Sequence, residues 1–436
     1  MIILIYLILS IAIILFLSAK LKVHPALSLV IGSIFLGFFL KMNTYDIFNY
    51  LFNGFYQAVK GIGLIILFSC VIGQFLKESG SIERFGNIIL KNLQKKTLLS
   101  INMLGLFIGT VVFCDSAFLI LNGISKSIAS STSYSLTSLN LSLAGGLYTS
   151  HTLIPPTPGP LAAINNLDAM NIIGDIMIFG ILVSIPSSLI SFFYARKTLM
   201  NRNISIDRIN IKDKKFSILP YLVIVIPLLL ISLNTITNFI ENESFLVSVK
   251  IIKYFGNPSI ALFIGMVLSF MLPNTKNKEK KILMGSLNDF LPILLLTSMG
   301  SAFGNIIKNS ELSTLLPSLF SLNQDSLLYI CLISFMVSFI LKTSQGSSTS
   351  AMIITSSIIF PFISNYSLSS FDISMIVLSI GSGSIMISHI NDSYFWIVTN
   401  KTNLTLQGGL KYFSIMSIFQ GLGTFIVILF LVLLFG

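Results

Sequence analysis

A chain of 436 residues with 54% hydrophobic and only 10% charged side chains is not a soluble globular protein, since such proteins carry roughly 25% charged residues. Its mean hydropathy of +0.90 makes lipid the solvent, and the fold class expected is an all-α polytopic membrane protein. The net charge of +11 does not point to nucleic acid, because the 27 Lys and Arg gather in short loops between apolar runs and form no aromatic-interleaved basic face.

The first apolar run, Ile2 to Ser18, has no basic segment before it and is followed directly by Lys20 and Lys22. That is the reverse of a cleavable signal peptide, so it reads as a retained helix with its N-terminus outside. Runs at 24–40 and 61–76 give the next two spans. The loop 77–97, with Lys77, Arg84, Lys91, Lys95 and Lys96, is expected in the cytoplasm by the positive-inside rule. So are the loop 195–216, with Arg196, Lys197, Arg202, Arg208, Lys212, Lys214 and Lys215, and the loop 274–281, with Lys276, Lys278, Lys280 and Lys281. The loop 239–256 balances Glu241 and Glu243 against Lys250 and Lys253, as an external loop can. Cys70, Cys114 and Cys331 lie in apolar segments without ligand or disulfide spacing and read as small core residues.

Parity then requires a hairpin. Three apolar stretches, 98–125, 138–165 and 172–194, lie between two loops on the same side, so one of them must be re-entrant; the first is interrupted at Phe113, Cys114, Asp115 and Ser116. The second half resembles the first shifted by about 231 residues. GQFLKESGSIE from Gly73 parallels GNIIKNSELST from Gly304, and GGLYTSH ending at His151 parallels GSGSIMISH ending at His389. Spans at 217–238, 257–273 and 286–307 match the first three.

The expected layout is a first repeat at 1–194, with a hairpin at about 98–130 and a broken helix at about 138–165. The basic loop 195–216 follows. The second repeat, 217–436, has a hairpin at about 327–364 and a broken helix at about 375–400. Five crossings per repeat make the two units inverted, with about ten spans, two hairpins and both termini outside. Inverted repeats with interrupted helices are the architecture of many secondary transporters, whose sites lie near the midplane.

Non-helical backbone at membrane depth survives only where protein or water satisfies it, and four stretches are candidates. VVFCDSAF and LKTSQGSSTS read as hairpin tips, SHTLIPPTPGP and SHINDSYFW as helix breaks. Asp115 and Asp392 are the carboxylates inside these motifs. Asp115 can carry a proton, since burial favours the neutral carboxyl, or cap a half-helix as a fixed anion. His151 and His389 occupy mirrored places and can relay protons or brace unwound backbone. Pro155, Pro156, Pro158 and Pro160 free carbonyls and hold their tract extended, and Gly159 permits close approach. Gln345, Gly346, Ser347, Ser348 and Thr349 open a half-helix whose amide end suits an anion. Lys342 can neutralise a substrate carboxylate or snorkel from a hairpin end. Scattered His and Asp without H-E-x-x-H or comparable spacing give no metal site or enzyme, and interrupted helix pairs favour alternating access over a passive channel.

These motifs resemble those of the gluconate permease family of the ion transporter superfamily. HTLIPPTPGP resembles H-x-x-x-P-P-H-P-G-P, QGSSTSA resembles Q/L-G-S-A-T-V-A, and GSGSIMISHINDSYFW resembles G-S-G-S-x-x-x-S-H-x-N-D-x-x-F-W; FCDSAF resembles the family's acidic segment, with Asp115 on its acidic position. The resemblance implies uptake of gluconate or a related small sugar acid by proton symport across the cytoplasmic membrane, without a cofactor. It also implies a homodimer with an elevator-like moving domain. It draws Asp115, Ser116, His151, Pro155, Pro156, Thr157, Gly159, Lys342, the 345–349 turn, Ser388, His389, Asn391 and Asp392 into the substrate site. Asp115, His151, His389 and Asp392 are its proton-coupling candidates. Thr157 stands where the family has a second histidine, Ser116 and Ala117 replace Val-Gly, Ser348 replaces an alanine, and Lys342 replaces the usual arginine, without its bidentate fork. The alternative is the same fold importing another small carboxylate, a short hydroxy acid or D-serine, with either a proton or sodium as the coupling ion.

Overall fold

The computed structural model describes residues 2–82, 96–132, 134–198, 218–237, 246–313, 315, 326–364, 366 and 368–436, and among these there is no strand. Arg84, Lys91 and Lys95, the basic loop beyond Thr198, and Glu241 and Glu243 lie outside the described residues.

In chain order the helices are α1 (Ile2–Leu15), α2 (Pro25–Phe39), α3 (Thr44–Glu78), α4 (Thr97–Ile108), α5 (Cys114–Ser131), α6 (Leu136–Leu153), α7 (Pro158–Asn166) and α8 (Ile173–Lys197). Then come α9 (Leu219–Ile236), α10 (Leu246–Phe255), α11 (Pro258–Ser269), α12 (Glu279–Lys308), α13 (Ser326–Gln345), α14 (Ser348–Ile363), α15 (Ser370–Ile385), α16 (Ser393–Lys401) and α17 (Leu406–Phe435). The two halves repeat one order: apolar helices, one very long helix, a helix pair joined by a short turn, a broken helix and a closing helix. Helices α3, α8, α12, α13 and α17 are each long and apolar enough to cross a bilayer, and shorter apolar helices accompany them.

The long helices α3 and α12 pack along much of their lengths. Residue numbers run in opposite directions along the contact. The Asn305 amide donates to the Tyr50 carbonyl (2.7 Å), Gly63 lies beside Leu294, Gln74 donates to Asp289 (2.6 Å), and Lys281 pairs with Glu78 (2.9 Å). Equivalent helices of the two halves are therefore antiparallel, as inverted units require.

Three departures from the sequence reading have physical causes. Helix α3 begins at Thr44 instead of near residue 61, because Asn43 caps it and its small residues Gly54 and Ala58 are buried, Gly54 against Ser301, Ala302 and Asn305 of α12. Lys250 and Lys253 belong to helix α10, in a stretch read as loop, where charge balance hid a helical pattern. Pro158 and Pro160 do not hold an extended tract; they start α7, where a missing amide donor costs nothing, so the break narrows to Ile154–Thr157.

Two kinds of contact hold the helices. Within the first half, α4 and α6 touch backbone to backbone: a methyl on Gly105 would lie 2.6 Å from the Leu143 carbonyl oxygen, and one on Gly146 would lie 2.9 Å from the Leu106 amide nitrogen. The partner half repeats this at Gly383, where a methyl would meet the Phe339 nitrogen at 3.1 Å. By contrast, α7 and α14 meet α12 through side chains. Asn166 donates to Ser356 (3.0 Å) and Ser357 (3.1 Å) and accepts from Ser301 (2.5 Å), Asn165 donates to Ser301 (3.3 Å), and Asp168 pairs with Lys308 (2.9 Å).

Gly146→Ala is expected to cost about 1–3 kcal/mol, because backbone atoms cannot yield to the added methyl. Gly123→Ala in α5, where a methyl meets nothing within 4 Å, is expected to be neutral or stabilising by up to about 1 kcal/mol. Thermal unfolding of the purified variants in detergent measures both; an unshifted Gly146→Ala would refute the close packing.

Candidate functional site

A cavity of about 440 Å³ sits where the turns of the hairpins and the second break come together. Its walls include Phe113, Cys114, Asp115 and Ser116 from the start of α5, Tyr148 and His151 from α6, and Gly346 to Ser350 at the start of α14. Asp392, Ser393 and Tyr394 add the start of α16; the remainder comes from α12, with Asn288, Asp289, Pro292, Ile293 and Leu296, and from His24 and Pro25 at the start of α2. Three half-helix N-termini, those of α5, α14 and α16, thus face one space. Their free amides and dipole ends favour negative charge.

Asp115 is half-buried in the first turn of α5. Its carboxylate accepts from the Ser393 hydroxyl (3.2 Å) and the Cys114 thiol (3.4 Å), so this carboxylate joins the first hairpin to the second break. Asp392 is buried and does three things at once. It caps α16 by accepting from the Tyr394 amide (2.9 Å), it accepts from Ser388, and it pairs with Lys342 at 2.5 Å. The Lys342 ammonium is fully buried, donates also to the Gly346 carbonyl (3.4 Å) and lies 5.7 Å from the centre of the Tyr148 ring. Its charge is therefore taken up by Asp392 and not presented to the cavity.

The turn before α14 is fixed from the break opposite. Gly346 has φ +75, and a side chain there would strike the backbone of Asn391 and Asp392. Asn391 donates to the carbonyls of Thr343 (2.7 Å) and Ser344 (3.0 Å), and His389 donates through Nε2 to Thr343 (2.9 Å). These two residues brace the end of α13. Ser347 caps α14, and Ser348 bonds to Tyr148 (2.7 Å) and to the Ser384 carbonyl (2.8 Å). The Gln345 amide is buried without a partner among the described residues.

The proline break lies to one side. Thr157 donates to the Ile154 carbonyl (2.5 Å), the Pro155–Pro156 peptide is cis, and Gly159 packs against Met352 of α14. His151 joins this region to the cavity: its Nε2 lies 3.5 Å from the Thr349 hydroxyl. Of the residues singled out from sequence, the cavity gathers Asp115, Ser116, His151, Gly346, Ser347, Ser348, Thr349 and Asp392. Pro155, Pro156, Thr157, Gly159, Lys342, Gln345, Ser388, His389 and Asn391 are not part of its wall. Sequence reasoning missed Tyr148, Asp289, Ser393 and Tyr394. Ser393 and Tyr394 sat inside a quoted motif, whereas Asp289 carried no signal beyond being a carboxylate within an apolar run.

Mirrored hairpins and mirrored broken helices around a polar cavity, in a protein whose solvent is lipid, define an integral membrane permease. The chain belongs to the GntP permease family, which it matches over residues 2–434. It is 29% identical to the D-serine transporter DsdX of Escherichia coli K12 over 454 residues, covering 97% of each chain. It is 24% identical to the high-affinity gluconate transporter of the same organism over 442 residues, covering 96% of each. It is 25% identical to a gluconate permease of Zymomonas mobilis over 431 residues, covering 94% of each. The fold is similar to that of the YdaH transporter of Alcanivorax borkumensis, with a TM-score of 0.65, 11% identity and coverage of 89% of this chain and 90% of that one. These relatives are permeases and transporters, not enzymes.

Breaking the buried pair is expected to be costly and its joint removal milder. Lys342→Met and Asp392→Asn should each destabilise by about 3–5 kcal/mol, because each leaves an uncompensated buried charge, while the double variant recovers a large part of the loss. Unfolding of the three variants in detergent tests this; additive single losses would exclude the pair as a unit.

Proposed function

We propose that the protein imports a small carboxylic acid across the cytoplasmic membrane by proton symport in an alternating-access cycle. The observation that carries this reading is the convergence of the α5, α14 and α16 N-termini on one cavity with Asp115 at its wall. The amide ends receive the substrate carboxylate, and the hydroxyls of Ser347 and Thr349 and the Ser393 side chain meet its hydroxyl groups. Asp115 is the proton carrier in this scheme, since it joins the two halves and has no cationic partner among the described residues. The two hairpins and two broken helices move as the carrying domain against α3 and α12 in an elevator-like stroke, with the chain acting as a homodimer and both termini outside. Gluconate and related sugar acids are the substrates suggested by the gluconate transporters among the relatives.

A second reading is favoured by one observation. With Lys342 held by Asp392, the cavity wall has no Lys or Arg among the described residues, yet it carries Asp115 and Asp289. His24 caps α2 by accepting a hydrogen bond from the Ala26 amide through Nδ1 (3.3 Å). Such a wall suits a zwitterion, whose ammonium pairs with a carboxylate while its own carboxylate meets the helix ends. D-serine is the nearest case, in keeping with the D-serine transporter among the relatives.

Uptake of labelled gluconate and labelled D-serine into proteoliposomes under an imposed pH gradient, with and without sodium, separates the readings. One of the two acids should accumulate without sodium, and Asp115→Asn should reduce gradient-driven uptake at least about tenfold. If neither acid nor any short hydroxy acid accumulates or competes, the proposal is wrong.

A further inference from the structure

Behind the main cavity lies a second, small space of about 20 Å³, walled by Ile66, Ser69 and Cys70 of α3, the Thr110–Phe113 turn, His151, and Pro156, Thr157 and Pro158. A volume of that size holds one water molecule, provided two to four polar groups surround it. Two polar atoms of its wall residues, His151 Nδ1 and Ser69 Oγ, are buried with no hydrogen-bond partner among the described residues. His151 is only 8% exposed, so bulk solvent does not serve this nitrogen. Two more hydroxyls belong to wall residues. Thr110 Oγ1 donates to the Phe107 carbonyl (2.7 Å) and Thr157 Oγ1 to the Ile154 carbonyl (2.5 Å), which leaves the lone pairs of both oxygens as acceptors.

We propose that this space is a binding site for a single structural water, held by His151 Nδ1 and Ser69 with Thr110 and Thr157, and that Ser69 is thereby a positioning residue for His151. The ligand is neutral. Among the described residues no acidic or basic side chain other than His151 lines the space, and an unneutralised cation there would bear a heavy desolvation cost. A smaller space of about 10 Å³ shares Ser69, Cys70 and Val111 to Phe113 and continues past Gln74 to Lys77.

The consequence lies at the other nitrogen. Because the Thr110 and Thr157 hydroxyls donate their protons to carbonyls, a water that donates to both of their oxygens accepts from Nδ1–H of His151, which leaves Nε2 as an acceptor toward Thr349 and the substrate cavity. The water also ties the proline break and the first hairpin's turn to α3, a helix of the opposing wall.

Full-length protein labelled with [15N]histidine and reconstituted in lipid tests this, with the His151 signal assigned by its loss in His151→Asn. Wild type and Ser69→Thr should show one tautomer and a magnetisation transfer from water to the His151 ring. Ser69→Val, which removes the hydroxyl and fills the volume, should abolish the transfer and mix the tautomers. Where Ser69→Val does not fold, Ser69→Ala replaces it and should weaken the transfer. Uptake by Ser69→Val or Ser69→Ala should fall about tenfold in maximal rate, the order of one lost hydrogen bond, with little change in half-saturation. Absence of the water signal in wild type, or its persistence in Ser69→Val, would overturn the assignment, as would an uptake loss with an unchanged His151 spectrum. The spectral result stands whether or not the transported acid is the one proposed above.

Discussion

Backbone that leaves the helical path inside an apolar protein must find partners at once, and here the second half's two interruptions supply each other. The end of α13 gives up carbonyls at Thr343 and Ser344, and the α15–α16 break answers with His389 and Asn391. The same break brings Asp392 onto Lys342, so a carboxylate that caps one half-helix also neutralises the ammonium at the end of another. Remove this mutual satisfaction and neither the α14 nor the α16 N-terminus has a reason to stay where it is. The cavity exists because these ends are pinned.

The pinning also redistributes charge. A lysine read from sequence next to a glycine turn is a natural partner for a substrate acid, yet in three dimensions its counter-charge is Asp392, 50 residues away. What remains for a substrate is the softer positive character of helix ends together with two acidic side chains. This combination narrows the chemistry of the solute more than the family relationship does, since relatives of similar identity carry the names of both sugar-acid and amino-acid transporters.

Much of the fold was legible in the sequence because membrane helices announce themselves by apolar length and their interruptions by glycine, proline and hydroxyl clusters. The turns at Phe113 and Gly346 and the break at Pro155 were visible for that reason, and GGLYTSH against GSGSIMISH exposed the duplication. The length of α3 was hidden, because most of the polar residues between Tyr45 and Lys60 stay exposed and look like a loop, and Gly54 carries no apolar signal until α12 packs against it. The site was legible where it is built from local motifs, as at Asp115 and Ser347–Thr349. It was illegible where function depends on an encounter, as with Asp289 from α12 or Tyr148 beneath Lys342. Ser69 belongs to the same group: a lone serine in an apolar helix has no meaning until the His151 ring stands opposite.

The glycine contacts between α4 and α6, repeated in kind at Gly383, bear on how the molecule can deform. Two backbones in direct touch form a weld: neither can slide or hinge over the other without collision, so a hairpin's leading arm cannot swing away from its own broken helix. The seam between α7, α14 and α12 is of another material, made of amide and hydroxyl side chains that exchange partners at small cost. Strain placed on this protein will therefore pass through the welds undiminished and be released along the seam, which makes the stiffness of its interior the thing that decides where it gives way.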